Sequence, residues 1–569
     1  MISKNNLLAL FFTGFILVGC SEDFLNFNPI ALDTEVTFYD SFEKLDMTAT
    51  AAYGMLCSRD IFDVFYIIAY GSVPADDSEA GGENVNDWPQ IQRFDRMTHS
   101  PNETGVDAIW GYMYKGIRMA NEFLSRVDKV RELDPATSQE LFDRRTAEMK
   151  FLRAFYHFTL VQIYGGVPIA DILVDPSMFG TPRNTIKQVL AFIKKDLEEA
   201  IPHLKTRSGV APDFGRATKG AAQSLLAKAH LYESSYAKYY PGDERFAGCT
   251  ESWEKALEYA EAVINSAEYE LVGINGQRYD SWRDPVNKVG GFRWVFTLDG
   301  DNSPEGIFEI QNVMDGKGWT ATRGTYLVTY TTARFFDLPS GGMGTVGGWS
   351  FNPPTQYLVD AFGNSDSRYT SLSSSPVDPE LDPRFSATIG REGDTIMVDN
   401  EWVPINFSNL PTGMIGRKFE CSTDEYWAVR TNDNEGPFNI RLIRYADVVL
   451  MAAEAAFHLG QEAKALDYIN MVRTRARMSG DTGYPLDLTT ITLEDILHER
   501  RLELALEGHR FFDLVRLNKA EQFINGINLA ALGDGFEVQF VKGKHEFWPI
   551  PTREVQLSNN ALVQYPGWQ

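Results

Sequence analysis

Apolar residues recur every three or four positions over much of this chain, and each run stops at a turn signal, a pattern that predicts helices. Trp110, Tyr114, Ile117, Ala120 and Leu124 mark one helix, and Phe151, Ala154, Phe155, Phe158 and Val161 mark the next. The second should end near Tyr164, because Gly165-Gly166-Val167-Pro168 follows and does not continue a helix easily. A third is predicted over Ile186 to Leu204, with Asn184 and Thr185 as candidate caps. Ala217 to Tyr236 and Trp253 to Ala267 read the same way, and Ala221, Ala222, Ala227, Ala229, Ala256 and Ala260 are small enough for paired helices to approach closely. Near the other end, Ala446 to Leu459 and Ala463 to Ala476 flank a tight turn at Gly460-Gln461. One such pair is equally a generic antiparallel hairpin, but several pairs in one chain point to a repeat scaffold.

From about Tyr269 to Asn439 the texture changes to Gly, Pro, Asp, Asn and Ser with short extended runs such as Gly306 to Ile310. This reads as a loop-rich insert, too aromatic to be disordered, with Tyr279, Trp282, Trp294, Trp319, Tyr326, Tyr330, Trp349, Tyr357 and Trp402 inside it. A polar loop over 71–98 interrupts the early helices. The expected organisation is therefore a signal at 1–19, a helical part at 20–268 carrying that loop, an irregular lobe at 269–439 and a helical part at 440–569. The fold class is mainly α.

The first residues change the picture. Lys4 precedes an apolar run from Leu7 to Val18, which closes on Leu17-Val18-Gly19-Cys20, a lipobox. The run is too short to span a bilayer stably, so it reads as a cleaved signal that leaves Cys20 as a lipidated first residue. The chain has 569 residues with net charge -25, and loss of Lys4 with the signal makes it -26. Such a surface repels phosphate backbones and anionic lipid heads, so no nucleic acid is expected, and membrane contact only through the lipid anchor. Beyond Cys20 the cysteines are Cys57, Cys249 and Cys421, without zinc-like spacing and with room for at most one disulfide.

Several segments carry a resemblance. Cys20 to Asn28 (CSEDFLNFN), Glu148 to Pro168 (EMKFLRAFYHFTLVQIYGGVP), Arg216 to Tyr232 (RATKGAAQSLLAKAHLY), Ile440 to Ala453 (IRLIRYADVVLMAA), Glu499 to Arg516 (ERRLELALEGHRFFDLVR), and Trp548 to Pro551 with Tyr565-Pro566-Gly567 together resemble the SusD-like, or RagB/SusD, lipoproteins. The resemblance implies a tetratricopeptide-like helical scaffold with an irregular glycan-binding lobe, a SusC-type TonB-dependent transporter as partner, and no catalysis. Ser21-Glu22-Asp23 resemble the surface-export signal of Bacteroidetes lipoproteins, which implies the outer face of the outer membrane. Glu499, Arg500, Arg501, Glu503, Glu507, Arg510 and Asp513 recur at spacings of three and four, and are expected to form ion pairs along one helix face.

Sugars present CH faces and hydroxyl rims, so a site for them needs flat aromatic rings flanked by short polar groups. The 71–98 loop supplies Trp88 beside Asn86, Asp87 and Gln90, with Asp76, Asp77 and Arg93 near in sequence. The resemblance implies that lobe residues Trp319, Tyr330 and Trp349 join them, giving Trp88, Asn86, Asp77, Arg93, Trp319, Tyr330 and Trp349 as candidate ligand contacts. A strongly acidic chain disfavours sulfated or uronic ligands at long range, although Arg93 or Arg323 could offset this locally. No cofactor or metal is expected. Asp299, Asp301, Ser303 and Glu305 have the spacing of a calcium loop without its glycine or distal glutamate. Gly342 to Gly347 fits GxGxxG but Pro353-Pro354 follows instead of a helix. There is no HExxH and no GxSxG. Two other readings stay open: a peptide-binding module on the same transporter, and a glycoside hydrolase using Asp76, Asp77 or Glu79 with a carboxylate of the insert.

Overall fold

The structure, a computed structural model, describes residues 38–58, 60–173, 180–281, 283, 288–313, 324–332, 336–337, 343–344, 348–398, 401–404, 412–420, 436–529 and 535–568. The chain begins with α1 (Phe42–Gly54), the wide-coiled α2 (Ile61–Ser72) and the short α3 (Pro89–Asp95). Long helices follow: α4 (Thr104–Leu124), α5 (Gln139–Tyr164), α6 (Ile186–Ala200), α7 (Lys219–Tyr239) and α8 (Trp253–Ile264). The lobe contributes strand β1 (Gly306–Ile310) and the short helices α9 (Leu327–Thr331), α10 (Gln356–Phe362) and α11 (Pro383–Thr388). Strand β2 (Ile440–Arg444) leads into α12 (Tyr445–His458), α13 (Glu462–Met478), α14 (Leu493–Leu504) and α15 (Arg510–Arg516).

The ends of these helices follow from local chemistry. Thr185 accepts from Gln188 N while the Gln188 side chain accepts from Thr185 N, a capping box that starts α6. Ser138 caps α5 through Leu141 N, and Gly165, at φ 69°, ends it where the glycine pair required.

Packing runs through the helices as a stack. α1 lies on α4, α4 on α5, α5 on α6, α6 on α7, α7 on α8, α8 on α12 and α12 on α13. This is a tetratricopeptide-like helical fold, because each helix buries its apolar stripe against the next one in the series. The alanines let it close: Ala221, Ala222, Ala227, Ala229, Ala256 and Ala260 are all buried. One core runs from Phe42 to Trp568. The step from α8 to α12 skips the whole lobe, so the lobe is spliced between two neighbours of the stack. Its neck is the antiparallel pair β1–β2, with Ile310 opposite Ile440 and Gly306 opposite Arg444. No helix among the described residues is long and apolar enough to cross a membrane.

One expectation needs correction. The run Glu499 to Asp513 is not one helix face: α14 stops at Leu504, Leu506 and Gly508 take φ of 63° and 81°, and α15 starts at Arg510. Its charges are buried and pair mostly with other elements, Arg444 and Arg475 with Glu503, and Arg384 with Glu499. In the segment with calcium-like spacing, the carboxylates face cations of the chain: Asp301 meets Arg441 at 2.8 Å, and Glu305 meets Arg444 at 2.5 Å and Arg475 at 2.7 Å.

Candidate functional site

The polar loop over 71–98 is held from below by charge. Arg501 reaches Asp77 Oδ1 at 2.5 Å, Asp366 Oδ2 at 2.8 Å and Asp76 Oδ2 at 2.9 Å, while Arg510 Nε reaches Asp76 Oδ1 at 2.7 Å. Burial penalises ionised Asp76, yet Arg501, Arg510 and Arg368 together hold its carboxyl well below the ordinary carboxylate range. At Asp77 burial wins, assisted by the neighbouring Asp76, and its carboxyl is raised. The backbones also touch: a Cβ on Gly71 would lie 2.2 Å from Gly508 O, so a side chain there has no room.

The same loop pairs with the lobe above it. Glu79 N donates to Pro353 O at 3.1 Å, Gly82 N to Ser350 O at 2.9 Å, and Thr355 N to Asp77 O at 3.0 Å. Residues 349–351 pair in turn with α9, through Trp349 N to Thr329 O and Phe351 N to Tyr330 O, both at 2.7 Å. α9 is pinned on α2 by Asp63, whose Oδ2 accepts from Tyr326 N at 2.8 Å and Thr325 Oγ1 at 3.2 Å. Burial nevertheless pushes the Asp63 carboxyl up.

This pairing gathers five rings. Trp88 lies 5.3 Å from Tyr330, 5.4 Å from Phe351 and 6.1 Å from Phe65 between ring centroids, and Tyr330 lies 4.7 Å from Trp349. The Trp88 and Trp349 contacts are edge to face, at 62° to 79°, the arrangement that ring quadrupoles favour. Tyr330 is 9% exposed and fills the middle, while Trp88 and Trp349 on either side are half-buried. The result is an aromatic surface shared by the early loop and the lobe.

Trp88 is delivered with strain. Asn86 N donates to Asn84 Oδ1, Glu83 N to Asp87 Oδ2, and Trp88 then takes φ 45° before α3 opens with Pro89 at its first position. A bulky residue in the left-handed region costs on the order of 1 kcal/mol or more. Ser350 and Asn352, across from it, also lie there at 58° and 57°.

Of the sequence candidates, the structure brings together Trp88, Tyr330 and Trp349. Asn86 is exposed at the loop tip. Arg93 sends Nε and Nη2 to the two Glu103 oxygens at 2.7 and 2.6 Å, with 41% of its side chain still exposed. Asp77, expected as a ligand contact, is 1% exposed and sealed against Arg501, a position from which its carboxylate holds the loop. The hydrolase reading loses two of its three acids for the same reason, since Asp76 is 0% exposed too, while Glu79 is half-buried. Cys20, Trp319, Arg323 and Cys421 lie outside the described residues. Burial pushes the Cys249 thiol up to about 12. Phe351 and Phe65 were missed by sequence reasoning. Phe351 could have been found from its alternation with Trp349, whereas Phe65 is one ring in the apolar run Ile61 to Tyr70.

Comparisons place this architecture among known proteins. A family profile described as the SusD family matches residues 304–568, and one described as starch-binding associating with outer membrane matches 23–231. A SusD-like protein of Bacteroides ovatus is 25% identical over 523 residues, covering 90% of this chain and 82% of that one. The starch-binding protein SusD of Bacteroides thetaiotaomicron is 26% identical, covering 87% and 84%. The solved structure of a laminarin-binding SusD-like protein superposes with a TM-score of 0.68 at 26% identity, covering 93% of this chain and 99% of that one. With both profiles, the relatives and the helical stack in agreement along nearly its whole length, this chain belongs to the SusD-like family.

Proposed function

We propose that this protein captures an oligosaccharide or polysaccharide at the cell surface and delivers it to a SusC-type TonB-dependent transporter, without catalysis. The observation that carries the reading is the joining of Trp88 to Tyr330 and Trp349, two half-buried tryptophans flanking one tyrosine, which offers CH-binding faces on a preorganised surface. Asn86 stands exposed near the same surface in sequence, where it can meet hydroxyls. Two relatives, one named for starch and one for laminarin, support a neutral glucan-like ligand class. The lipobox at Cys20 and the outer-membrane description of the matched profile support a lipid anchor in the outer membrane, with the binding face outward.

The test is calorimetry of the soluble mature domain against chemically distinct polysaccharides and peptides. One sugar class should bind without product forming, and Trp88→Ala should weaken it about tenfold, the worth of one aromatic platform. A response to peptides alone, or sugar binding indifferent to Trp88→Ala, would overturn the assignment.

A further inference from the structure

A second cavity, sharing no residue with the aromatic surface, lies where α1, the turn over 213–216 and the end of β1 meet. Its volume is about 260 Å³, close to the lower end of ordinary small-ligand sites and enough for one sugar ring. The floor is apolar: Leu56 and Ile310 are 4% and 1% exposed, and the half-buried Tyr53 ring forms a wall. The rim is polar, with the Thr50 hydroxyl, the Asp213 carboxylate and the Arg216 guanidinium.

These groups are fixed before any ligand arrives. Glu148, 0% exposed, accepts from Tyr53 OH at 3.1 Å and from Arg216 Nη1 at 3.1 Å, and Ala217 N donates to Tyr53 OH at 2.9 Å. Arg216 also lies over the Tyr53 ring, 5.6 Å from its centroid. The turn closes tightly, since a Cβ on Gly215 would fall 2.5 Å from Gln311 Cγ. Cys57 joins α1's end to the strand by donating its thiol proton to Gln311 O at 3.7 Å. The buried Glu309 carboxylate also lines the cavity, facing Arg441 at 3.8 Å, and an apolar floor with polar groups around it matches a ring with one CH face and peripheral hydroxyls. Charge narrows the class further. Arg216 faces Glu148 at 3.1 Å and Asp213 at 3.9 Å, and Glu309 faces Arg441 at 3.8 Å, so each charge at the cavity already has a partner and neither an anion nor a cation gains from entering.

We infer that this cavity is a second ligand site, for a single uncharged monosaccharide ring, free or at the end of a chain. It stands on its own geometry and does not depend on the reading of the aromatic surface.

The experiment uses the mature chain in a detergent without sugar headgroups, carrying Trp88→Ala to weaken the first surface. Glucose, galactose, mannose and xylose serve as probes in saturation-transfer NMR. At least one sugar should give saturable transfer. Adding Thr50→Val and Asp213→Ala, both at exposed positions, should weaken that sugar about tenfold, as expected for two lost hydrogen bonds. The inference fails if none of the four gives saturable transfer, or if the transfer is the same with and without the rim substitutions. Binding to the aromatic surface can succeed or fail independently of either result.

Discussion

Arg501, with no exposed side-chain surface, faces Asp76, Asp77 and Asp366 and so ties the early loop and the lobe to α14. A buried cation with three partners is replaced at a cost that lies mostly in what it leaves behind, uncompensated carboxylates in low dielectric. Arg501→Met should therefore lower stability by about 3 kcal/mol or more, seen as a fall in the urea midpoint. Asp77→Asn tests the division between holding and binding. Where that variant folds, its glycan affinity should match the wild type, and a selective loss of binding would return Asp77 to the ligand site. The residue types of this network were visible in the sequence, but their partners were not. Arg501 and Asp77 are 424 positions apart, and no spacing rule reaches across that distance.

Among the elements, close approach carries more of the fold than helix propensity does. A Cβ on Gly116 of α4 would lie 2.4 Å from Tyr156 Cε2 of α5, and that ring is anchored by its hydroxyl donating to Ala52 O at 2.6 Å. Gly116→Ala would gain about 1 kcal/mol of intrinsic helix preference. Overpacking a locked ring costs about 1–3 kcal/mol, so the melting temperature should fall, and a rise would show that α4 and α5 have slack between them. Helix ends were readable from sequence because caps act within four residues: Thr185 and Gly165 sit where the pattern placed them. The wide turn of α2 and the break between α14 and α15 were not. α2 carries a nearly continuous apolar run, IFDVFYIIAYGS, whose geometry is set by what packs around it. The α14–α15 break puts Gly508 against Ile67, a contact that has no signature in either segment.

Over the whole molecule, acid should be destabilising well above the range where carboxylates titrate. Burial lowers His99, His157, His230, His458, His498, His509 and His545 from their ordinary value, five of them to about 4. A group whose folded value is depressed binds its proton more readily when unfolded, so its contribution is full above about 6.5, the unfolded value, and declines as pH falls toward 4. Asp301, raised by burial to about 6, and Asp63, Asp77, Asp196 and Glu554, also raised by burial, work the other way, but are five groups against seven. Glu507 and Asp513, buried yet held at about 2, the first by Arg444 and Lys418 and the second by Arg500 and Arg516, add a further loss at lower pH. The urea midpoint should thus be lower at about pH 5 than at about pH 7.5, and a flat profile would mean that these imidazoles meet water in the folded state.

By itself the sequence determined the helical class, most helix boundaries and the lipobox, because periodicity, caps and composition act over a few residues. Only the tertiary structure decided that Trp88 meets Tyr330 and Trp349 while Asp77 is sealed against Arg501. Both outcomes turn on backbone pairing and charge burial between segments hundreds of positions apart, where loop entropy is overcome by packing that no local pattern records.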